Sequence, residues 1–295
     1  MSVGVIGAGK WGSALAFALS QKSEVYITSR IKKDLPNFRS LSEVLACEYL
    51  IITVPAQQVG VWLQENFHFN GQKVLVASKG IEAKSGRFLN EIYAPHIPDT
   101  NIAFLSGPSF AAEVMQSLPT ALVVNSLNEE LSKEIAELFP NFIKTYTSTD
   151  VIGAEVAGAY KNVIAIAAGI CEGLSLGKNA AAALIARGLV EMQRFGKYYG
   201  AKDESFVGLS GAGDLFLTAS STMSRNFRVG LGLAKGMSQS EILTELGEVA
   251  EGIGTAYALK EIAEEKKLYL PIAKEVYEML EGKSPQESLK DLLSR

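Results

Sequence analysis

Two cysteines and two histidines in 295 residues leave little material for a metal centre or a disulfide framework. Cys47 and Cys171 sit in apolar segments, share no metal-ligand spacing and read as small core residues. Cysteine usage this sparse points to a cytoplasmic protein. Basic excess is missing too: 28 Lys and Arg face 32 Asp and Glu, a formal charge of −4. Without surplus cations to neutralise phosphates, general nucleic-acid binding is excluded, and only a local basic pocket is left open. No uninterrupted apolar run approaches the roughly 20 residues that cross a bilayer. The richest, Val163 to Cys171, is far shorter, so no membrane partner is expected. The apolar N-terminus has no basic leader and is better explained by its glycines than as a signal peptide. Neither a repeat nor a low-complexity tract interrupts the chain.

What is present is a globular composition, 47% hydrophobic and 20% charged, on a length that suits two domains. Strand candidates are Val3–Ile6, Glu24–Thr28, Tyr49–Val54, Lys73–Ala77 and Ile102–Leu105, then Ala121–Val124 and Phe142–Tyr146. The first five are short, nearly continuous apolar runs bounded by turn residues, as strands buried on both faces of a parallel sheet are. Helix patterns separate them, such as Trp11, Leu15, Ala18 and Leu19 on one face. This alternation predicts an α/β fold with an N-terminal Rossmann-type, doubly wound, mostly parallel sheet. From Asp150 onward only Ala-rich and Leu-rich helical patterns remain, broken at Gly173–Gly177, Gly200, Gly208–Gly213 and Pro271. The expected division is a dinucleotide-binding domain over 1–148 and an all-helical substrate-binding domain over 149–295.

Gly7-Ala8-Gly9-Lys10-Trp11-Gly12 is a G-x-G-x-x-G directly after a strand and directly before a helix. That context makes the motif a dinucleotide fingerprint rather than a glycine-rich turn. Gly7 permits the tight turn, Gly9 lets a pyrophosphate approach the backbone, and Gly12 lets the helix pack on the strand. The pyrophosphate then meets free N–H groups at the helix N-terminus. An NAD-preferring site usually ends its second strand on an acidic residue. Here that strand ends Thr28-Ser29-Arg30, with Lys32 and Lys33 following. Arg30 either accepts a ribose 2′-phosphate or is a solvated charge; the first reading makes NADPH accepted and preferred over NADH.

Reducing a carbonyl with hydride also needs a proton donor. His68 and His96 read as loop residues, and the Tyr198-x-x-x-Lys202 pair straddles Gly200 in the helical region. Lys161 is the stronger candidate, because its helix, Ala157-Gly-Ala-Tyr-Lys-Asn-Val-Ile-Ala-Ile-Ala-Ala, holds almost no other charge. Desolvation there lowers a lysine pKa toward working pH. Two readings stand at this point: a general acid/base, or a snorkelling lysine paired with Glu155. Ser78-Lys79-Gly80 and Ser106-Gly107-Pro108-Ser109-Phe110 fall at strand carboxyl ends, where open α/β sheets bind ligands. Gly211-Ala-Gly-Asp214-Leu215 and Ser224-Arg225-Asn226-Phe227-Arg228 look like polar loops entering helices. Each is either an ordinary cap or part of a phosphate clamp.

Taken as an ordered set, these segments resemble bacterial NAD(P)-dependent glycerol-3-phosphate dehydrogenase over essentially the whole chain. The matching pieces are Gly-Ala-Gly-Lys-Trp-Gly, Val54-Pro-Ala-Gln-Gln, Ser78-Lys-Gly-Ile-Glu82, Ser106-Gly-Pro-Ser-Phe-Ala111 and Ala159-Tyr-Lys-Asn162. Gly211-Ala-Gly-Asp-Leu215, Ser224-Arg-Asn226 and Glu248-Val-Ala-Glu-Gly252 complete them. The resemblance implies reversible reduction of dihydroxyacetone phosphate to sn-glycerol 3-phosphate, a precursor for phospholipid biosynthesis. It implies that Lys161 is the proton donor and acceptor. Lys79 is then a lysine touching substrate and cofactor, with Gly107, Ser109, Asp214, Ser224, Arg225 and Asn226 as substrate contacts. Besides Gly7, Gly9, Lys10 and Gly12, the implied cofactor contacts are Trp11, Arg30, Lys33, Ala111, Arg225, Val249 and Glu251. The last motif reads Glu-Val-Ala-Glu-Gly where bulkier aliphatics are common.

Other readings stay open. A two-domain reductase of the β-hydroxyacid or 6-phosphogluconate dehydrogenase type shares the fold logic but not the Arg225–Asn226 pair. A non-catalytic dinucleotide sensor would need the fingerprint alone. A homodimer is the default assembly, being the commonest.

Overall fold

In a strand that is apolar on both sides, successive side chains feed two different cores. That is how the first half of the chain assembles in the computed structural model, which describes residues 1–35 and 37–294. Seven strands form one sheet: β1 (Ser2–Ile6), β2 (Glu24–Thr28), β3 (Tyr49–Ile52), β4 (Lys73–Val76), β5 (Ile102–Ser106), β6 (Thr120–Asn125) and β7 (Ile143–Ser148). Their order is β2-β1-β3-β4-β5-β6-β7. The first five run parallel; β6 is antiparallel to β5, and β7 parallel to β6. Val3, Val5, Ile27, Ile51, Leu75 and Leu105 enter one core. Ile6, Leu50, Ile52, Val74, Val76 and Phe104 enter the other. The near-continuous apolar runs thus follow from burial on both faces. At the antiparallel junction the buried Asn125 amide donates to the Phe104 carbonyl at 3.0 Å and to Ser106 Oγ at 2.9 Å.

The helices of this half are α1 (Lys10–Leu19), α2 (Leu41–Leu45), α3 (Ala56–Asn66), α4 (Leu89–Tyr93), α5 (Ala111–Val114) and α6 (Glu129–Glu137). Those of the second half are α7 (Val151–Gly173), α8 (Lys178–Tyr198), α9 (Asp203–Val207), α10 (Asp214–Ala219), α11 (Arg225–Ala234), α12 (Gln239–Leu246), α13 (Glu251–Lys266), α14 (Pro271–Leu280) and α15 (Pro285–Leu293). A π-helical turn at Leu209–Gly213 leads into α10. The breaks fall where the glycines and Pro271 stand, since Pro271 occupies the first turn of α14, where its missing N–H costs nothing.

The chain divides into two units. One comprises Met1–Ser78 with Leu89–Ala154, the other Lys79–Phe88 with the chain from Glu155 onward. The inserted segment has its own reason to join the helical unit. Ile81 and Phe88 bridge antiparallel, and the Phe88 ring lies 5.0 Å from that of Tyr199 and 6.1 Å from that of Phe195 on α8. Lys79, at the base of this loop, is therefore held among the helices.

By length and composition α7 meets the requirement for crossing a membrane, although no uninterrupted apolar run in the sequence does; 94% of its apolar window is buried inside the protein, as in a core helix. Gly230 of α11 lets the two helix backbones meet there, since a Cβ would lie 2.7 Å from Ile170 N and 2.8 Å from Gly169 Cα. This close crossing brings the start of α11 beside the middle of α7.

Candidate active site

The fingerprint turn is built by sterics. Gly7 has φ of +110°, a conformation glycine alone adopts readily. A Cβ on Gly12 would overlap the Gly7 carbonyl oxygen. Thr53, just beyond β3, holds the turn from the neighbouring strand: its hydroxyl lies 3.0 Å from both the Ile6 and Gly7 carbonyl oxygens. Gly9 is exposed, and a Cβ there would meet nothing within 4 Å, so open space faces the start of α1. No side chain caps that helix at Gly9. Uncapped N–H groups facing open space beside two close-packed glycines fit a dinucleotide pyrophosphate.

Two of the other expected cofactor residues, Trp11 and Lys33, make hydrogen bonds from or to this turn. Trp11 Nε1 donates to the Ala77 carbonyl at 3.0 Å, tying the fingerprint to the end of β4. There Ser78 Oγ is buried without a hydrogen-bond partner. Lys33 donates to the Ala8 carbonyl. Lys10 is exposed, as is Arg30 just past β2. Gly107, with φ of +104°, is buried at the end of β5, Ser109 Oγ reaches its carbonyl at 3.4 Å, and Ala111 opens α5.

The helical unit gathers the charged candidates. Lys161 Nζ donates to Asp214 Oδ1 at 2.6 Å and to Thr218 Oγ1 at 2.9 Å. Lys79 Nζ donates to the other carboxylate oxygen, Oδ2, at 2.6 Å. The Thr218 hydroxyl in turn donates a hydrogen bond to the Asp214 backbone carbonyl at 2.6 Å, one helical turn back. Lys161, Asp214 and Thr218 are all buried, Asp214 almost completely at 1% exposure. Lys161 makes its ion pair with Asp214 and not with Glu155, and Asp214 is a shared carboxylate rather than a helix cap.

The electrostatics follow from that geometry. Burial, aided by the positive charge of Lys79 and opposed by Asp214 and Glu251, lowers the Lys161 pKa to about 8. Burial alone would push the Asp214 carboxyl up, but the Lys161 and Lys79 ammoniums outweigh it and hold the group below its ordinary value. The result is an ionised carboxylate holding a lysine that titrates near neutral pH, as a proton donor and acceptor must. Two of the three Lys161 donors are engaged, leaving one open.

The start of α11 carries the remaining polar groups. Ser224 is its N-cap, accepting from Phe227 N at 3.2 Å. The Arg225 side chain is 43% exposed and lies 3.7 Å from Glu248. Asn226 is buried, donating to Asn162 Oδ1 at 2.9 Å and accepting from Gly252 N at 2.9 Å. It thereby ties α7, α11 and α13 together, with Val249 exposed and Glu251 in the first turn of α13.

Three participants carried no assignment in the sequence. Thr218 was detectable as a polar residue one turn from Asp214 on an apolar helix. Asn162 stands beside Lys161, but its link to Asn226 spans 64 positions. Thr53 offered only its place at the end of an apolar strand.

Comparison with known proteins gives one consistent result. Residues 28–132 match the model of the NAD-dependent glycerol-3-phosphate dehydrogenase N-terminus, and residues 150–290 that of its C-terminus. A glycerol-3-phosphate dehydrogenase (NAD(P)+) from Sulfurimonas denitrificans is 76% identical, with 99% of each chain covered. One from Nitratiruptor sp. is 61% identical over 100% of this chain and 99% of its own. The crystal structure of glycerol-3-phosphate dehydrogenase from Coxiella burnetii superposes with a TM-score of 0.92 at 32% identity, covering 100% of this chain and 99% of that one.

Proposed function

The chain belongs to the NAD-dependent glycerol-3-phosphate dehydrogenase family and is an NAD(P)-dependent oxidoreductase, and we propose that Lys161 carries the proton in its interconversion of dihydroxyacetone phosphate and sn-glycerol 3-phosphate. The single observation behind this reading is the buried carboxylate of Asp214 shared between Lys161 and Lys79.

When bound, the nicotinamide supplies or accepts the hydride at the central carbon. Lys161 protonates the carbonyl oxygen during reduction and takes that proton back during oxidation. Asp214 holds the Lys161 ammonium on one oxygen and Lys79 on the other, so two positive charges flank a single negative one. The surplus favours the oxygen as it gains negative charge. Thr218 fixes a second Lys161 N–H and leaves the third aimed by exclusion at substrate. Arg225, Asn226 and the Ser224-capped start of α11 hold the phosphate, with Gly107 and Ser109 as further substrate contacts.

In the same reading, residues 1–148 bind the dinucleotide and 149–295 the substrate, except that Lys79–Phe88 joins the helical unit, which begins in the helical half at Glu155. The uncapped α1 terminus beside Gly7, Gly9, Lys10, Trp11 and Gly12 receives the pyrophosphate, while Ala111, Val249 and Glu251 add contacts. Arg30 and Lys33 favour the 2′-phosphate of NADPH, since no carboxylate ends β2 to repel it. A cytoplasmic setting, supported by two buried free cysteines, and supply of phospholipid precursors complete the proposal.

The test is turnover. Purified protein with NADPH should consume it on addition of dihydroxyacetone phosphate and not on addition of a panel of keto and hydroxy acids. Turnover of a panel acid with none of the triose phosphate would overturn the reading in favour of the β-hydroxyacid type. Binding of NADPH without any turnover would leave a dinucleotide sensor.

A further inference from the structure

A glycine inside a long buried helix is less favourable than alanine, because it gives up more backbone freedom on folding. Gly158 stands within the 23 residues of α7, one turn before Lys161. A Cβ built there would lie 3.2 Å from Lys79 Cδ, 3.3 Å from its Cγ and 3.5 Å from its Cβ. The three nearest heavy atoms thus all belong to one side chain, and to its stem rather than its mobile tip. Ordinary carbon contacts sit at about 3.5–4.0 Å. The Lys79 stem therefore lies flat on bare helix surface, and along that track its ammonium reaches Asp214 Oδ2 at 2.6 Å.

We propose that Gly158 is a positioning residue of the active site, whose missing side chain admits the Lys79 stem and so fixes where the second ammonium meets Asp214. This deepens, and rests on, the reading of Lys161 as the proton carrier. The charges acting on Lys161 come from three elements: Asp214 of α10 and Glu251 of α13 retain its proton, and Lys79 of the loop after β4 repels it. A methyl group at 158 pushes the Lys79 stem off α7 and loosens its bond to Asp214. The repulsion on Lys161 then weakens, and its pKa rises toward that of an ordinary lysine.

The experiment is an NMR titration of lysine side chains in the full-length, unliganded protein, comparing wild type, Gly158→Ala, Lys79→Ala and the double variant. Gly158→Ala should raise the Lys161 pKa by on the order of half a unit, and Lys79→Ala by at least as much. The double variant should show no more than Lys79→Ala alone, because the two act through one side chain. In enzyme assays Gly158→Ala should raise KM for dihydroxyacetone phosphate several-fold. Thermal unfolding supplies a second readout: in the Lys79→Ala background, alanine at 158 should raise Tm, since the obstructing stem is gone. An unchanged Lys161 pKa in Gly158→Ala, additive shifts in the double variant, or equal loss of stability in both backgrounds would each overturn the proposal. Absence of triose-phosphate turnover in wild type would defeat the functional reading alone, because the titration needs no activity.

Discussion

The Lys161 ammonium lies 2.6 Å from Asp214 Oδ1, with both residues buried in the helical unit and only one N–H of the lysine left unengaged. A buried ion pair is a weak source of stability, because desolvation offsets most of its attraction. In the proposed reading its value is chemical: it holds at a fixed position an amine whose pKa is lowered to about 8.

Removing that amine should remove the chemistry. Lys161→Ala is expected to lower kcat by roughly 10²–10⁴ while leaving the dissociation constant for NADPH unchanged, read by fluorescence titration. Near-normal turnover in this variant means that another group carries the proton.

The direction of the pH dependence follows from which form of Lys161 each reaction needs. Reduction uses the ammonium, so its kcat should fall as pH rises through about 8. Oxidation uses the free amine, so its kcat should rise through the same region. Profiles recorded in both directions that move the same way around pH 8 contradict the assignment.

Asp214 is the most exposed to mutation of the three charged groups, because it serves two lysines. Truncating one partner of a buried pair costs about 3–5 kcal/mol, so urea denaturation of Asp214→Ala should show a loss of that order at neutral pH. Its folded pKa lies below the ordinary value, so its contribution is present above about pH 3.9 and is lost as pH falls through the folded value. The stability difference between wild type and Asp214→Asn should therefore shrink in acid; a difference that grows there has the wrong sign.

Arg30 sets cofactor preference in the proposed reading. A charge-assisted hydrogen bond contributes about 1.5–3 kcal/mol, so Arg30→Glu should weaken NADPH binding by roughly 10–100-fold and leave NADH nearly as it was. Equal effects on the two dinucleotides, measured by calorimetry, remove Arg30 from specificity.

Arg225→Ala should raise KM for dihydroxyacetone phosphate by a similar factor, roughly 10–100-fold, with a smaller change in kcat at saturation. Competition by inorganic phosphate, measured alongside, should weaken in step. Unchanged KM and phosphate competition mean that the clamp lies elsewhere.

Much of this architecture is legible one residue at a time. Nearly continuous apolar runs such as Val3–Ile6 and Tyr49–Ile52 state burial on both faces, and the placement of Gly7, Gly9 and Gly12 between a strand and a helix states a candidate phosphate turn. Ser224 reads as a helix cap because its hydroxyl serves a backbone three residues on, within reach of local rules. Lys161 stands out as the one cation of an apolar helix, yet its partner could not be read: Glu155 was nearer in sequence, while Asp214 lies 53 positions away.

The sequence by itself determined the elements, the sheet's parallel core, the glycine turn and the candidacy of Lys161, because each depends on neighbours within a turn or a strand. Only the tertiary structure decided what surrounds that lysine. Lys79 sits on a loop after β4, and Phe88, packed against Phe195 of α8 and Tyr199, draws the loop into the helical unit. Asp214 arrives on α10, Asn226 on α11 and Glu251 on α13, each placed by helix packing that no local pattern encodes. A pKa is a sum over such neighbours, so the lysine's candidacy was written in the chain and its tuning in the fold.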